Sequence, residues 1–476
     1  MNSILCIDCG LTKGKLLLFD SNGRRLGNEE FTTPLNDTLI DTSALRQYFC
    51  AAMTRLLQNA DTDPADILCA SVSGHGNGLY AIGETDVLPV GYSSMIRESS
   101  QMLPPEGKTF PIILQSDWSG QPLPLLAWLK YTSPQTFAQI KTILFCKDLL
   151  RWFMSGVAVT EETDASAAGL LNWQTGSYDP DLLRIYNLED ASSKLPKILK
   201  SSQVAGYVTE SFAGETGLPA GIPILGGLFD VNSCMLGSGA TQEGQYALIA
   251  GTWGINAAAS QLPVRSQNIT QCCRFFGAAP YVCIDSAPTS CVNLEWYTQK
   301  VLNGLSYADA DRLVSTQPMD EELLYLPYLY APMDLPSAQG GFAGLRAYHD
   351  PAAMLRAVFE GIVFEHRYRL EKLQHSGIQA DCAVLSGGAA NSAVFGQMFA
   401  DVCGLNIRIP AQPQSGALGG AILGMVSAGI YPDIHTAVDA VVTYTHSFSP
   451  NPSVHAYYER KFSRFRHAQQ RFRHNI

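Results

Sequence analysis

Charge is scarce in this chain. Asp, Glu, Lys and Arg make up 16% of its 476 residues against 46% hydrophobic, and the balance is acidic, with a net charge of −11. So high a hydrophobic fraction excludes wholesale disorder. An acidic surface argues against nucleic acid or an anionic membrane as the main partner. No apolar run reaches the ~18–20 residues that span a bilayer, so no membrane crossing is predicted. The twelve cysteines lack the spacing of a disulfide framework, and no basic stretch followed by an apolar one opens the chain. Both features point to a reducing cytoplasm. Cys6 and Cys9 form a C-x-x-C with no second pair to complete a zinc site, which argues against metal or redox chemistry there. Neither G-x-x-x-x-G-K-[ST] nor a G-x-G-x-x-G after the first strand occurs, which excludes a Walker loop and a dinucleotide fingerprint. Low-complexity linkers are missing too. A chain this long needs two cores of roughly 200–250 residues each, and without a linker the two should pack with a cleft between them.

What is present reads as two weakly related halves. Apolar runs at 4–7 and 16–19 flank a turn at Gly10, and residues 20–23 supply a hairpin turn. Leu45, Phe49, Met53 and Leu56 carry helical spacing over 43–59, with Thr42 or Ser43 as the N-cap. A buried strand at 67–73 enters the glycine loop 74–78, and helical patterns follow at 123–131, 133–141 and 146–154. The strand–glycine–strand unit at 246–259 echoes 4–19. Before it, an apolar strand ends in Asp230 and leads into a small-residue helix. The Gly- and Ala-rich stretch 236–240 sets the expected domain boundary, giving 1–239 and 240–476. A late strand at 383–385 runs into Gly387, Gly388 and Asn391, then a helix at 392–403, and 416–421 opens another. At the C-terminus Tyr458, Phe462, Phe465 and Phe472 lie near helical spacing, with Arg460, Lys461, Arg464 and Arg471 placed outside. That pattern predicts a docked amphipathic helix with a solvated basic face.

Several residue groups carry candidate chemistry. Asp8, Gly10, Thr12 and Lys15 share the first turn, where backbone N–H groups and the Thr12 hydroxyl could hold a phosphate and Asp8 could hold Mg²⁺ through its waters. The plainer reading is a tight hairpin. Gly251-Thr252-Trp253-Gly254 is a second candidate phosphate turn, and two such turns from facing domains can clamp a polyphosphate. Asp230, at a strand end, suits a general base, with a helix N-cap as the alternative. Gly387-Gly388 and 416–420 would let a flat base or ribose lie against backbone, or else mark tight helix packing. His75 stands out among nine histidines because it sits inside a glycine loop.

Taken in order, the motifs resemble the FGGY family of carbohydrate kinases over nearly the whole chain. CIDCGLTKGKLLLFD is similar to that family's first phosphate motif, and CKDLLRWFMSG to its K-D-x-L-x-x-x-L-T-G segment. GGLFDVNS resembles the strand carrying the catalytic Asp, and GTWG the second phosphate motif. The stretch GGFAGLRAYHDPAAMLRAVFEGIVFEHR resembles the C-terminal signature, with Ala353 replacing a usually polar residue. LSGGAANSAVFGQMFADVCGLNIRIP and SGALGGAILG are similar to the nucleotide-binding elements. The resemblance implies an α/β chain with two domains on an actin-like, ribonuclease-H-like core, and a catalytic cleft holding ATP and Mg²⁺. It implies Asp230 as the base, Asp8 at the metal, and Thr12, Lys15, Thr252, Gly254, Gly387, Gly388 and Asn391 at the nucleotide. His75, Asn77 and Trp118 would meet the sugar; Trp118 has a core position as its alternative. The order Ser73-Gly74-His75-Gly76-Asn77-Gly78-Leu79 is closer to L-xylulose kinases than to D-xylulose or glycerol kinases, although neither xylulose subgroup matches at His75 and Asn77. The expected reaction is ATP-dependent phosphorylation of a ketopentose, L-xylulose first, with D-xylulose or another ketose or polyol as the alternative. Outside the class, the same core serves nucleotide-driven chaperones and filaments. The sequence has no feature bearing on oligomeric state, and a homodimer stands as a bare expectation.

Overall fold

The computed structural model describes residues 2–332 and 334–474, with the side chains of 472–474 outside the described set. Two seven-stranded sheets organise the chain. In the first, β1 (Ser3–Cys9), β2 (Lys13–Asp20) and β3 (Arg25–Thr32) form an antiparallel meander. β4 (Ile67–Gly74) then returns parallel to β1. β5 (Val204–Tyr207), β6 (Pro223–Leu225) and β7 (Leu228–Phe229) complete it, β6 and β7 both parallel to β4.

The second sheet repeats the plan. β8 (Gly244–Ala250), β9 (Gly254–Ser260) and β11 (Tyr281–Ala287) form the meander, and β10 (Gln271–Arg274) extends its edge. β12 (Ala380–Ser386) is parallel to β8, followed by β13 (Asn406–Pro410) and the antiparallel β14 (Tyr444–Phe448). Antiparallel hairpins need only short turns, whereas each parallel return needs a long crossover. The crossover in the first half contains α1 (Thr42–Asn59) and in the second α4 (Pro351–His375). The echo between 4–19 and 246–259 is therefore a repeated topology.

Between the sheets, α3 (Asp230–Ser238) lies against α6 (Ser415–Ser427). A Cβ on Gly237 would come within 1.9 Å of the Ser415 carbonyl oxygen, and one on Gly419 within 1.9 Å of the Ser233 carbonyl oxygen. Gly237 and Gly419 thus serve helix packing: backbones this close leave no room for any side chain.

Local details differ from expectation in two places. The α1 N-cap is Asp41, whose carboxylate accepts from the Ser43 and Ala44 N–H groups, and Thr42 and Ser43 are the first helical residues. Asp caps as well as Ser or Thr does, and helical spacing cannot distinguish neighbours. On the C-terminal helix α7 (Pro452–His474), Tyr458, Phe462 and Phe465 are buried as predicted, and Arg460 and Arg464 are exposed. Lys461 is not. It is 1% exposed and pairs with the buried Glu360 of α4, because an ammonium taken out of water requires a carboxylate partner. The side chain of Phe472 and the whole of Ile476 lie outside the described residues.

Candidate active site

The candidate residues of the first half gather at the carboxyl ends of β1, β4 and β7. The parallel registers pair Asp8 with Ser73 and Ser73 with Leu228, so Asp230 follows β7 directly beyond that row. Crevices at the carboxyl ends of parallel strands are where open α/β sheets bind ligands. Asp8 Oδ1 accepts from Ser73 Oγ at 2.9 Å, and its Oδ2 faces the start of α6, where a Cβ on Gly416 would lie 2.5 Å away. Burial pushes the Asp8 carboxyl above its ordinary range, while Ser73 and the charge of Lys15 pull it back. Asp230 is the first residue of α3, and its Oδ1 accepts from Val231 N–H at 2.7 Å. Phe229 occupies the cap position, so Asp230 is not a conventional N-cap. Its carboxyl is pushed up to about 7, first by burial and then by the negative charge of Asp8.

The glycine loop is held beside Asp230. A Cβ on Gly76 would strike the Phe229 ring at 2.3 Å, so the loop rests on the residue preceding Asp230. His75 N–H donates to the Cys9 carbonyl at 2.8 Å, and Gly78 N–H to that of Gly120 at 2.8 Å. The latter bond joins the loop to the segment bearing Trp118, which is half-buried rather than a core residue. His75 Nε2 lies 3.1 Å from the Tyr80 hydroxyl, while its Nδ1 and Asn77 Oδ1 are buried without a partner. Burial lowers the His75 imidazole to about 4, so the ring is neutral at physiological pH. A buried polar atom without a partner costs roughly 1–3 kcal/mol, and two on one loop are what a site for a polyhydroxy ligand would leave open.

In the second half, the turn 251–253 follows β8 just as the turn 10–12 follows β1. Thr12 and Thr252 are both exposed at these tips. Gly387 has φ +83°, and a Cβ there would lie 2.8 Å from the Ala250 carbonyl, so β12 ends directly against the second turn. Gly388 and Asn391 lie in the exposed turn that follows, where Asn391 Nδ2 donates to the Gly388 carbonyl at 3.3 Å. Gly254 differs: it is buried in β9, and a Cβ there would approach His366 Nε2 at 3.1 Å.

That contact belongs to a support that motif reading missed. His366 Nδ1 lies 2.8 Å from Asn256 Oδ1, and its Nε2 lies 3.1 Å from Ser290 Oγ, all buried. Burial drives this imidazole down to about 3, keeping it neutral beneath the turn. Also missed was a cluster of five ionisable side chains behind Asp230, formed by Lys147, Asp148, Arg151, Glu161 and Asp164, each at most 1% exposed, with burial pushing the Asp164 carboxyl well above its ordinary range. Its signal was present in CKDLLRW, where three charges interrupt an apolar stretch.

No helix among the described residues is long and apolar enough to cross a membrane.

Comparison with known proteins agrees with this arrangement. The profile of the FGGY family of carbohydrate kinases, N-terminal domain, matches residues 3–237, and that of its C-terminal domain matches 246–428. A probable L-xylulose kinase of Pasteurella multocida is 30% identical over 481 residues, covering 98% of each chain. An L-xylulose/3-keto-L-gulonate kinase of Escherichia coli is 30% identical, covering 97% of this chain and 96% of that one. Among solved structures, a xylulose kinase from Lactobacillus acidophilus superposes with a TM-score of 0.90 at 21% identity, covering 100% and 99% of the two chains. A Plasmodium falciparum glycerol kinase with ADP gives 0.86 at 17% identity, covering 100% and 99%. With both halves matched, the strand–turn–strand unit repeated and a carboxylate at the strand ends, this chain belongs to the FGGY family of carbohydrate kinases and is a phosphotransferase acting on a sugar.

Proposed function

We propose that this kinase transfers the γ-phosphoryl group of ATP to the terminal hydroxyl of a ketopentose, L-xylulose being the first candidate. The observation that carries the reading is the place of Asp230, a carboxylate directly beyond the end of β7, beside Asp8 and the glycine loop, where burial pushes its carboxyl up to about 7. Such a group is ionised often enough to accept a proton and basic enough to pull one from an alcohol. In the proposed step Asp230 takes the hydroxyl proton, the sugar oxygen forms a bond to the γ-phosphorus, and the bond to the departing ADP oxygen breaks. Thr12 and Lys15 on the first turn, and Thr252, Gly387, Gly388 and Asn391 around the second, would hold the nucleotide. Gly254 would act from below, by letting the turn settle on His366.

Among the described residues no three His, Cys, Asp or Glu side chains form a metal cage. The donor set nevertheless suits Mg²⁺, which keeps several waters and takes one or two carboxylates together with substrate phosphates. Asp8 would hold it, and the ion would offset negative charge on the phosphoryl oxygens. Asp8→Ala should then raise the Mg²⁺ concentration for half-maximal activity by tenfold or more. An unchanged Mg²⁺ titration would return Asp8 to a purely structural part.

His75, Asn77 and Trp118 would face the sugar. The resemblance to the two L-xylulose kinases at 30% identity supports L-xylulose over other ketoses. ADP release with ATP and Mg²⁺ across L-xylulose, D-xylulose, L-ribulose, D-ribulose, L-fuculose and glycerol tests the assignment. The expected result is strongest stimulation by L-xylulose; preference for another sugar overturns the substrate, and ATP turnover indifferent to all of them overturns the reading. His75→Ala and Asn77→Ala should raise the sugar KM by roughly tenfold, the loss of about one hydrogen bond to a buried partner, with the ATP KM within twofold. A change confined to ATP would place the sugar elsewhere.

A further inference from the structure

The segment that delivers Asp230 is irregular. β6 stops at Leu225, Gly226 and Gly227 make a jog, and β7 resumes for two residues before α3 begins. Gly227 has φ +87°, and a Cβ there would lie 2.1 Å from the Val72 carbonyl oxygen. A jog with so little ladder of its own must be held from outside.

The buried cluster grips this jog at both ends. Arg151 on α2 (Cys146–Ser155) donates through Nη1 to the Gly226 carbonyl and through Nη2 to that of Val159. At the other end, Phe229 N–H donates to Thr163 Oγ1 at 3.0 Å. That hydroxyl donates in turn to Glu161 Oε1 at 2.8 Å, and Glu161 Oε2 accepts from Ser201 Oγ at 2.8 Å. Between them, Gly227 N–H donates to the Ser201 carbonyl at 3.1 Å. Lys147 holds the anionic parts together, its Nζ lying 2.6 Å from Asp148 Oδ1, 3.4 Å from Asp164 Oδ2 and 3.5 Å from Glu161 Oε1. Arg151 shares Asp148 Oδ1 at 3.0 Å. All of these side chains are shielded from water, so the bonds made by Arg151, Thr163, Glu161 and Ser201 are costly to leave half-made, while the Asp164 carboxylate meets Lys147 only at 3.4 Å with no hydrogen bond of its own.

Resting on the assignment of Asp230 as the base, we propose that Thr163 and Arg151, braced by the Lys147–Asp148–Glu161–Asp164 cluster, are positioning residues that set the place of Asp230 through the backbone of Gly226–Phe229. Neither is offered as a group that touches substrate. The cluster acts by fixing the residue immediately before Asp230, where a displacement of about 1 Å is enough to cost roughly 10²-fold in rate.

The test is Thr163→Val, which keeps the shape and removes the hydroxyl, with Thr163→Ser as the conservative variant. Steady-state kinetics with ATP, Mg²⁺ and L-xylulose, or whichever panel sugar the wild type turns over, should show kcat down tenfold or more for Thr163→Val. Both KM values should stay within about twofold, and Thr163→Ser should recover kcat to within threefold of wild type. Hydrogen exchange of the peptide covering 226–232 should accelerate in Thr163→Val and not in Thr163→Ser. An unchanged kcat, or a loss that Thr163→Ser shares, overturns the proposal. Should Thr163→Val fail to fold, Ser201→Ala loosens the same Glu161 brace, and it must lower kcat severalfold at constant KM for the proposal to stand. If no panel sugar is turned over by the wild type, the substrate assignment fails on its own, and the exchange rates at 226–232 still decide whether Thr163 holds the jog.

Discussion

Asp230→Asn should lose roughly 10²–10⁴-fold in kcat, the range that a positioned general base contributes, while ATP binding stays nearly intact. The amide keeps the shape and can still accept from Val231 N–H through its oxygen, as Asp230 Oδ1 does. Single-turnover ADP release and ATP binding by calorimetry separate the two effects, and retained turnover would remove Asp230 from the base role. The wild-type pH profile carries a second signature. A base must be ionised to work, so with the carboxyl raised to about 7 the rate should fall as pH drops through 7, well above an ordinary Asp limb.

The same shift has a consequence for stability, of opposite sense. Unfolded, the group returns to its ordinary value of 3.8; folded, it sits at about 7. Between those values the native state binds the extra proton, so the group's contribution is full below 3.8 and is lost as pH rises through 7. At pH 8 the ionised carboxylate beside Asp8 therefore costs up to about 4 kcal/mol, from three pH units at 1.36 kcal/mol each. Asp230→Asn is neutral at every pH, so it should be inactive and yet melt several degrees above wild type at pH 8, with the gap narrowing as pH falls through 7 and closing only near 3.8. A variant that melts below wild type at pH 8 would mean that Asp230 is stabilised by its site. An active site that destabilises its own fold is a recurrent trade-off.

How far the sequence reached depends on what kind of feature is asked about. Periodicity located the strands and helices around the site because apolar residues in β1, β4 and β8 have one environment and one reason to be there. Turn residues found both hairpins, since Gly10 and Gly251 answer a local steric need. Asp230 stood out because a carboxylate ending an apolar run is expensive. The supports did not stand out. Lys147, Arg151, Glu161 and Asp164 are spread over 18 residues and meet only when α2 packs against β4 and the helix 162–167 packs against β7, so no spacing rule could join them to Phe229. His366 lies more than a hundred residues from the turn it supports, and nothing in its own stretch points to Asn256 or Ser290 as its partners. Lys461 was placed on the solvent side because nothing in α7 reveals Glu360 on another helix. What the sequence conceals is long-range pairing of buried polar groups, and that is what holds the site.

Arg369→Met tests the largest of those pairings. Arg369 Nη1 lies 3.1 Å from Asp285 Oδ1, and its Nη2 lies 2.9 Å from both Glu365 Oε1 and Asp334 Oδ1. Glu365 is further tied to Tyr328, whose hydroxyl donates to Oε2 at 2.8 Å and accepts from Gln469 of α7 at 2.6 Å. Arg369, Asp285 and Glu365 are all nearly inaccessible to water. Removing the guanidinium leaves Glu365 facing Asp285 and Asp334 with only Lys372 in reach of the latter two, at 2.8 and 3.1 Å. Uncompensated buried charge costs about 3–5 kcal/mol, and urea unfolding of Arg369→Met should show a loss of that size. Because the loss arises from stranded charge and not from missing contacts, adding Glu365→Met should restore a large part of it. A double variant no more stable than the single would mean that Arg369 works by packing. The site should register the change too. Asp285 is the cross-strand partner of Asn256, which fixes His366 under the turn 251–253. Loosening β11 should therefore raise the ATP KM while leaving the sugar KM alone, the reverse of the pattern expected for His75 and Asn77, so the two halves of the cleft can be told apart by kinetics.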